Sequence, residues 1–151
     1  MKDDIRVILA DNNVQDRESK KRLLNEQGIQ VVYETGDGKK ALENIKKLKP
    51  DVVVMDMILP GGDGLEILEE CREFTEYKPL FIIATALRRE GLIEQALAQG
   101  ANYYMMKPLS ATMLIKRIRQ IAASVGEGEE GQAAVHNSEE KQLVSVPEYT
   151  E

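Results

Sequence analysis

The sequence predicts an α/β fold, a parallel sheet with helices on both faces, because five strand-like segments alternate with five helix-like ones. The strand-like runs are short and rich in Val, Ile and aromatic residues, as strands buried on both faces are. The run Val52–Met55 leads directly into Asp56, and proline and glycine turn residues follow through Gly64. Asp56 therefore falls at the carboxyl end of a buried strand, the edge at which open α/β sheets bind ligands.

The first predicted helix is the least apolar element of the chain. It begins after the capping residue Asn13 and ends near Gly28. No large apolar residue lies between Val14 and Leu23, so the inner face of this helix must use arginine or lysine stems. The five predicted strands are residues 5–10, 29–33, 52–55, 80–84 and 103–106.

The other four helices show apolar residues at helical spacing. Asp37 and Gly38 open the second helix, Pro50 stops it, and Gly100 ends the fourth. The apolar positions are Ala41, Leu42, Ile45 and Leu48 in the second helix, Leu65, Ile67, Leu68 and Cys71 in the third, Leu92, Ile93, Ala96 and Leu97 in the fourth, and Met113, Leu114, Ile118 and Ile121 in the fifth.

The net charge of -6 is concentrated at the end of the chain. Seven of the 26 acidic and one of the 20 basic residues lie in residues 126–151, which leaves 19 of each before them. A neutral body gives no electrostatic case for nucleic-acid binding by this segment. We predict residues 1–125 as one domain and residues 126–151, which are polar and lack periodicity, as an acidic flexible linker or tail. Such a linker suggests an effector domain beyond Glu151.

Cysteine content and hydropathy favour a cytoplasmic protein. Cys71 is the only cysteine, so no intramolecular disulfide forms, and we interpret Cys71 as a helix residue. No apolar run approaches the roughly 20 residues that span a membrane. The start Met1-Lys2-Asp3-Asp4 leads into a strand-like segment without a signal peptide.

Four further polar residues stand at predicted strand ends. Asp11 and Asn12 follow the first strand, Thr85 the fourth and Lys107 the fifth. Because the carboxyl ends of parallel strands share one edge, these residues can converge on Asp56. Each alone has a simpler interpretation, as a turn and helix cap, a β-branched strand residue or a solvated lysine. Five such residues on one edge favour a functional site.

This residue set suits phosphoryl transfer to a carboxylate. Asp56 can act as nucleophile and carry an aspartyl phosphate. Asp11 and Asn12 can hold a magnesium ion, and Lys107 and Thr85 can contact phosphoryl oxygens.

Short motifs along residues 5–124 occur in a specific order. They are Ala10-Asp11-Asn12-Asn13, the loop from Asp56 to Gly64 with Pro60 and Asp63, Ala84-Thr85-Ala86, Gly100-Ala101 and Lys107-Pro108. In these motifs the chain resembles the receiver domain of bacterial two-component response regulators. Receivers of sporulation-type regulators have the most similar first and last motifs. The resemblance implies a flavodoxin-like (βα)5 doubly wound fold with five parallel strands in the order 2-1-3-4-5.

The resemblance also implies a function. A sensor histidine kinase or phosphotransfer protein would donate a phosphoryl group to Asp56, with Mg²⁺ on Asp11, Asn12, Asp56 and the backbone carbonyl of Ile58. Thr85 and Lys107 would move toward the phosphoryl group. The ring of Tyr104, at the aromatic switch position, would turn inward. The domain would catalyse only its own phosphorylation and dephosphorylation.

The output implied by the resemblance is a change of partners. The surface of the fourth helix, fifth strand and fifth helix would switch its preference for a homodimer, for an effector domain beyond residue 151 or for a separate protein. Control of transcription is the expected process. The Lys107-Pro108 bond is typically cis in the family.

Three positions depart from the family pattern or modify it. Asn12 stands where the family usually has a second acid, so we expect weaker magnesium binding. Because the pocket then carries less negative charge, the unphosphorylated form can populate an active-like state. Ile58 and Leu87 lie two residues beyond Asp56 and Thr85, at positions that flank the path of the hydrolytic water in the family. Both are apolar here, so we expect slow loss of phosphate.

Two other function classes stay open at this point. A pseudo-receiver would keep the fold and bind a partner constitutively, which Asn12 favours and Asp56, Thr85 and Lys107 oppose. A flavodoxin-like protein that binds a nucleotide or flavin is also compatible with the fold. That second alternative lacks a glycine-rich phosphate loop after the first strand and a tryptophan to stack on a flavin.

Overall fold

The structure, a computed structural model, describes residues 4–125. Residues 1–3 and the predicted tail, residues 126–151, lie outside the described part of the chain. Within residues 4–125, no helix combines the length and the apolarity needed to cross a membrane. The strands are β1 (Arg6–Ala10), β2 (Gln30–Thr35), β3 (Val52–Met55), β4 (Leu80–Thr85) and β5 (Tyr103–Met106). The helices are α1 (Val14–Glu26), α2 (Gly38–Leu48), α3 (Gly64–Arg72), α4 (Glu90–Ala98) and α5 (Ala111–Val125).

The five strands form one sheet in the order β2-β1-β3-β4-β5, and all four pairings are parallel. The predicted fold class and strand order are confirmed. Strand β3 lies at the centre, and all four of its residues are buried, which is the environment that its continuous apolar run predicts. The carboxyl ends of β1 and β3 are in register, with Ala10 opposite Met55. The residues that follow these two strands are therefore neighbours.

Each face of the sheet has its own hydrophobic core. One core contains inward residues of α2, α3 and α4, among them Ile45, Ile67 and Ile93. The other contains Leu24 of α1 and Leu114 of α5. A central strand such as β3 contributes alternate residues to the two cores, because successive side chains point to opposite faces. The two cores therefore determine to which face of the sheet each side chain at the carboxyl edge points.

Helix α1 packs with charged side chains, as its sequence predicts. Asn13 caps it by accepting a hydrogen bond from Asp16 N at 2.9 Å. The side chains of Arg17 and Lys20 are only 14% and 12% exposed, so their stems cover the inner face. Leu24 is the one residue of α1 that is fully buried.

Four details of the predicted elements are wrong. Strand β1 begins at Arg6 rather than at residue 5, and β2 runs on to Thr35 because Thr35 pairs with Ala10. Thr85 is the last residue of β4 rather than the first residue after it, since it pairs with Met106. Met113 marks α5 in the sequence but is 41% exposed, so it lies off the buried face.

The loop between β3 and α3 rests on the first turn of α2. Gly38 N donates to Pro60 O at 2.7 Å, and a Cβ atom on Gly38 would lie 1.8 Å from Gly62 O. Gly61 has φ +84°, and a Cβ atom there would lie 2.4 Å from the Asp37 carboxylate. Glycine is required here for close backbone approach and for positive φ. The loop that begins at Asp56 is thereby fixed against α2.

Replacing Glu34 with Gln is expected to reduce stability at neutral pH but not in acid. Burial tends to raise the pKa of Glu34, but hydrogen bonds from Arg17 and Lys21 outweigh it and the pKa is lowered from 4.5. The ionised carboxylate therefore stabilises the fold above the unfolded pKa, and this contribution disappears as the pH falls through the lowered folded pKa. We expect a loss of about 1 kcal/mol at pH 7.

Urea unfolding of both proteins from pH 7 down to pH 3 measures this difference. The exposed pair of Lys46 with Glu70 (3.2 Å) provides the control variant, Glu70→Gln, for which a smaller loss is expected. A Glu34→Gln deficit that stays constant across the pH range would contradict the assignment.

Candidate functional site

The site is built from residues that directly follow three of the five strands. Asp11 follows β1, Asp56 follows β3 and Lys107 follows β5. Each is still held by a backbone hydrogen bond of the sheet: Asp11 N to Thr35 O, Asp56 N to Ala10 O and Lys107 N to Thr85 O, all at 2.9 Å. Because the sheet fixes these backbones, it also fixes where the three side chains meet.

Lys107 bridges the two carboxylates. Its Nζ donates to Asp11 Oδ2 at 2.7 Å and to Asp56 Oδ2 at 3.0 Å. The other carboxylate oxygens accept from backbone amides, Asp11 Oδ1 from Asn13 N at 2.9 Å and Asp56 Oδ1 from Ile58 N at 3.2 Å. We call Asp11, Asp56 and Lys107 the charged cluster. The structure thus brings together three of the five residues predicted at this edge.

The cluster holds the lysine in its charged form. Burial alone would lower the pKa of Lys107, but the hydrogen bonds to Asp11 and Asp56 and their negative charges outweigh burial and raise it above 10.5. The side chains of all three residues are less than one fifth exposed, with 19% for Lys107 and 16% for each carboxylate. Their mutual attraction is therefore weakly screened by solvent.

Arg17 of α1 supports the cluster and was not singled out by the motif analysis. Its Nη1 donates to the backbone oxygen of Asp11 at 2.6 Å, while its Nε donates to Glu34 at 2.8 Å. The guanidinium therefore ties the segment after β1 to β2. The sequence feature that could have pointed to Arg17 is the lack of large apolar residues in the first part of α1. This lack requires an arginine or lysine stem on the inner face of the helix.

Asn12, Thr85 and Ile58 stand beside the charged cluster rather than in it. Asn12 is exposed. Thr85 is 1% exposed, and its hydroxyl accepts a hydrogen bond from Leu87 N at 3.3 Å. Ile58 is 58% exposed, and its backbone N–H donates to Asp56 Oδ1.

The ring of Tyr104 is buried in this structure. The residue is 5% exposed, and its hydroxyl donates to Leu87 O at 3.4 Å. Thr85 and Tyr104 both contact the backbone of Leu87, so the segment after β4 links them. The Lys107-Pro108 peptide bond is cis, as the resemblance implies.

The charged cluster has the chemistry of a small cation site. Two carboxylates converge on one ammonium, so their oxygens can also converge on a divalent cation that prefers oxygen ligands. The Asn12 side chain offers a neutral amide oxygen next to Asp11. Within residues 4–125, no group of three or more His, Cys, Asp or Glu side chains is arranged to hold a metal. With two carboxylates and one amide oxygen, the donor set has the oxygen chemistry that Mg²⁺ prefers.

Comparisons with known proteins agree with this geometry. The family described as "Response regulator receiver domain" matches residues 7–119. The transcriptional regulatory protein PdtaR of Mycobacterium tuberculosis is 34% identical over 129 residues, 81% of this chain and 62% of PdtaR. A protein-glutamate methylesterase/protein-glutamine glutaminase of Methanospirillum hungatei is 34% identical over 80% of this chain and 35% of its own length. The chain thus spans less than two thirds of these curated relatives.

Solved structures show the same fold. The signal receiver domain of NarL from Mycobacterium tuberculosis superposes with a TM-score of 0.75 at 31% identity, covering 81% of this chain and 98% of that domain. The chain belongs to the response regulator receiver domain family.

Proposed function

We propose that this domain accepts a phosphoryl group on Asp56 from a histidine kinase or phosphotransfer protein and switches a partner surface in response. The observation that carries the proposal is the bridge from Lys107 to Asp11 and Asp56. A half-buried lysine between two carboxylates is costly to maintain for stability alone. A lysine in this position suits a site that gains negative charge on phosphorylation and loses it on dephosphorylation.

The transfer itself asks little covalent chemistry of the protein. A carboxylate oxygen of Asp56 forms a bond to phosphorus while the P–N bond of the donor phosphohistidine breaks, and the histidine nitrogen keeps the electron pair. Lys107 is close enough to follow the charge from the carboxylate to a phosphoryl oxygen. The Thr85 hydroxyl, at the end of the adjacent strand β4, is the donor for a second phosphoryl oxygen.

Asp11, Asp56, Asn12 and the carbonyl of Ile58 are the residues that would hold Mg²⁺. When bound, Mg²⁺ supplies positive charge that neutralises the phosphoryl oxygens. The protein residues position the acceptor carboxylate: the Ile58 amide holds Asp56 Oδ1, and the Asn13 amide holds Asp11 Oδ1. Neither amide contact involves the lysine, so both carboxylates stay oriented when Lys107 moves.

The buried ring of Tyr104 supports a switch at this aromatic position. In the family pattern the inward ring accompanies phosphorylation, and here the ring lies inward, with its hydroxyl donating to Leu87 O. Asn12 reduces the negative charge of the pocket, which favours this state without phosphate. We propose that the unphosphorylated domain populates the inward state and that phosphorylation increases its population.

The proposal is tested by incubating the protein with acetyl phosphate, with Mg²⁺ or with a chelator. Intact-mass spectrometry should show the gain of one phosphoryl group with Mg²⁺ and a much smaller gain with the chelator. No mass gain under either condition would favour the pseudo-receiver, a constitutive interaction module. That alternative is kept open by Asn12 alone.

Changing Asn12 to Asp is expected to tighten Mg²⁺ binding about tenfold, because affinity rises with the charge of the ligands. The substitution is nearly isosteric and the position is exposed, so the fold should tolerate it. Isothermal titration with MgCl2 measures the affinity. As a control, Asn13→Asp adds the same charge one residue along and keeps a good helix cap. Equal affinities for Asn12→Asp and the wild type would contradict a ligand role for residue 12.

The phosphorylated form should lose its phosphate slowly. The apolar Ile58 side chain offers a hydrolytic water no hydrogen-bond partner. Ile58→Asn is expected to shorten the lifetime several-fold in a mass-spectrometric time course after removal of acetyl phosphate. Val14→Asn changes another exposed apolar residue (51% exposed) as a control. A wild-type half-life of seconds would count against the slow-loss proposal.

We propose that the output is transcriptional control through an effector domain or a separate partner protein. The name of PdtaR, a transcriptional regulatory protein, supports this process, and its greater length supports an effector outside the matched region. The surface of α4, β5 and α5 adjoins Tyr104 and is the proposed place for the partner or for a homodimer.

A further inference from the structure

The guanidinium of Arg17 joins the segment after β1 to the edge strand β2. Its Nη1 donates to the backbone oxygen of Asp11 at 2.6 Å, and its Nε donates to Glu34 Oε1 at 2.8 Å. The Arg17 side chain is 14% exposed and that of Glu34 is 22% exposed. Because a guanidinium presents its donors in a rigid planar fork, the contact with Glu34 also determines where Nη1 points. Arg17 therefore holds the Asp11 carbonyl in one orientation.

Gly36, which follows β2, leaves room for this contact. A Cβ atom on Gly36 would lie 3.1 Å from Arg17 Nη1, which is unusually short for a Cβ atom, and at ordinary contact distances from Asp11 O (3.4 Å) and Asn12 Cα (3.5 Å). Gly36 is not among the glycines with positive φ, so its backbone conformation does not require glycine. The missing side chain at this position therefore accommodates the guanidinium, which a methyl group would push away from Asp11 O.

The Asp11 carbonyl relates two of the proposed metal ligands to each other. The carbonyl group of Asp11 and the amide of Asn12 belong to the same rigid peptide plane. The orientation of that plane therefore determines where Asn12 begins relative to the Asp11 carboxylate. The carboxylate itself is held by other contacts, from Asn13 N at 2.9 Å and from Lys107 Nζ at 2.7 Å. Arg17 acts on the plane between the two ligands rather than on either side chain.

We propose that Arg17 is a positioning residue for Mg²⁺ binding. Anchored by Glu34, it fixes the peptide plane between Asp11 and Asn12 and so orients the carboxylate and the amide oxygen that would hold the ion. Mg²⁺ demands near-ideal coordination geometry, and groups that orient metal ligands contribute strongly to metal affinity. This inference rests on the proposed function, which assigns Mg²⁺ to these residues. It gives the inner face of α1 a part in the chemistry of the site.

Positioning and simple charge predict opposite effects of Arg17→Gln on Mg²⁺ affinity. A cation near the site repels a divalent cation, so the loss of its charge alone would tighten Mg²⁺ binding. Loss of the positioning contact weakens binding instead, because the ligands must then be ordered when the ion binds. We expect Arg17→Gln to bind Mg²⁺ about tenfold more weakly than the wild type. Isothermal titration with MgCl2 measures the affinity without any phosphorylation step.

Gly36→Ala tests the same contact while every charge of the protein is kept. Its methyl group displaces the guanidinium, so Mg²⁺ affinity should fall several-fold. The double variant Arg17→Gln/Gly36→Ala should bind Mg²⁺ no more weakly than Arg17→Gln, because both substitutions remove one contact and their effects are then not additive. Lys21→Gln is the matched control. Lys21 is an exposed lysine of the same helix that also donates to Glu34, at 3.2 Å, and its loss should leave the affinity close to that of the wild type.

Thermal unfolding shows which variants are folded at the temperature of the titration. If folded Arg17→Gln binds Mg²⁺ as tightly as the wild type or more tightly, the role of Arg17 is overturned while the proposed function stands. An additive loss in the double variant overturns it as well. If Arg17→Gln does not fold, an unchanged affinity of Gly36→Ala overturns the role.

The mass gain with acetyl phosphate judges the proposed function separately. A wild type that binds Mg²⁺ but gains no phosphoryl group would overturn the proposed function, and the affinities of the variants would still decide the role of Arg17. A wild type that binds no Mg²⁺ would overturn the positioning role together with the proposed metal site.

Discussion

Replacing Asp56 with Asn is expected to abolish phosphorylation by acetyl phosphate. The amide has nearly the same shape, and its oxygen can still accept the hydrogen bond from Ile58 N. It is a poor nucleophile, however, and it no longer attracts Lys107, which keeps only Asp11 as its partner. The intact mass after treatment should therefore equal that of the untreated variant.

Asp63→Asn is the matched control for this experiment. Asp63 lies in the same loop, where its side chain caps α3 by accepting a hydrogen bond from Glu66 N at 3.2 Å. Asparagine is an equally good helix cap, so this variant should gain the phosphoryl mass as the wild type does. Full phosphorylation of the Asp56→Asn protein would place the acceptor on another residue and overturn the proposed function.

Replacing Gly38 with Ala is expected to destabilise the fold by about 3 kcal/mol. The new methyl group would lie 1.8 Å from Gly62 O and 2.7 Å from Gly62 C, both backbone atoms of the β3–α3 loop. No flexible side chain can move aside, so the loop or the first turn of α2 must shift. The hydrogen bond from Gly38 N to Pro60 O, at 2.7 Å, would be strained with it.

Gly91→Ala is the control for Gly38→Ala. Gly91 also lies in the first turn of a helix, α4, but a Cβ atom there meets nothing within 4 Å. This variant should be stabilised by up to about 1 kcal/mol, because alanine favours the helix. Urea unfolding of both variants measures the difference. Similar stabilities for the two would mean that the loop yields freely and is not fixed against α2.

Most of the fold could be predicted from the sequence because the local patterns agree with the tertiary structure. The continuous apolar run of β3 predicts a central strand, and Asn13 predicts the start of α1. The ends of β2 and β4 were misjudged because polar residues close them: Thr35 and Thr85 belong to strands through their pairing with Ala10 and Met106. Pairing across a sheet is a tertiary property that neither threonine reveals by itself.

The sequence predicted which residues meet at the candidate site, but it did not predict which side chains pair with each other. Strand order places Asp11, Asp56 and Lys107 at one edge. That a single ammonium bridges both carboxylates depends on side-chain rotamers, as does the inward ring of Tyr104. The burial of Lys20 was hidden for another reason: a lysine on a polar helix is usually solvated, and only the packed position of α1 turns it inward.

The bridge formed by Lys107 also bears on how the protein folds. Its ammonium supplies a counter-charge to the two converging carboxylates. We therefore expect a chelator to leave the unfolding temperature unchanged, unlike in domains that are held together by their metal. If phosphorylation requires Mg²⁺ as proposed, a cell starved of the ion would keep its folded receiver while phosphorylation of the receiver declined.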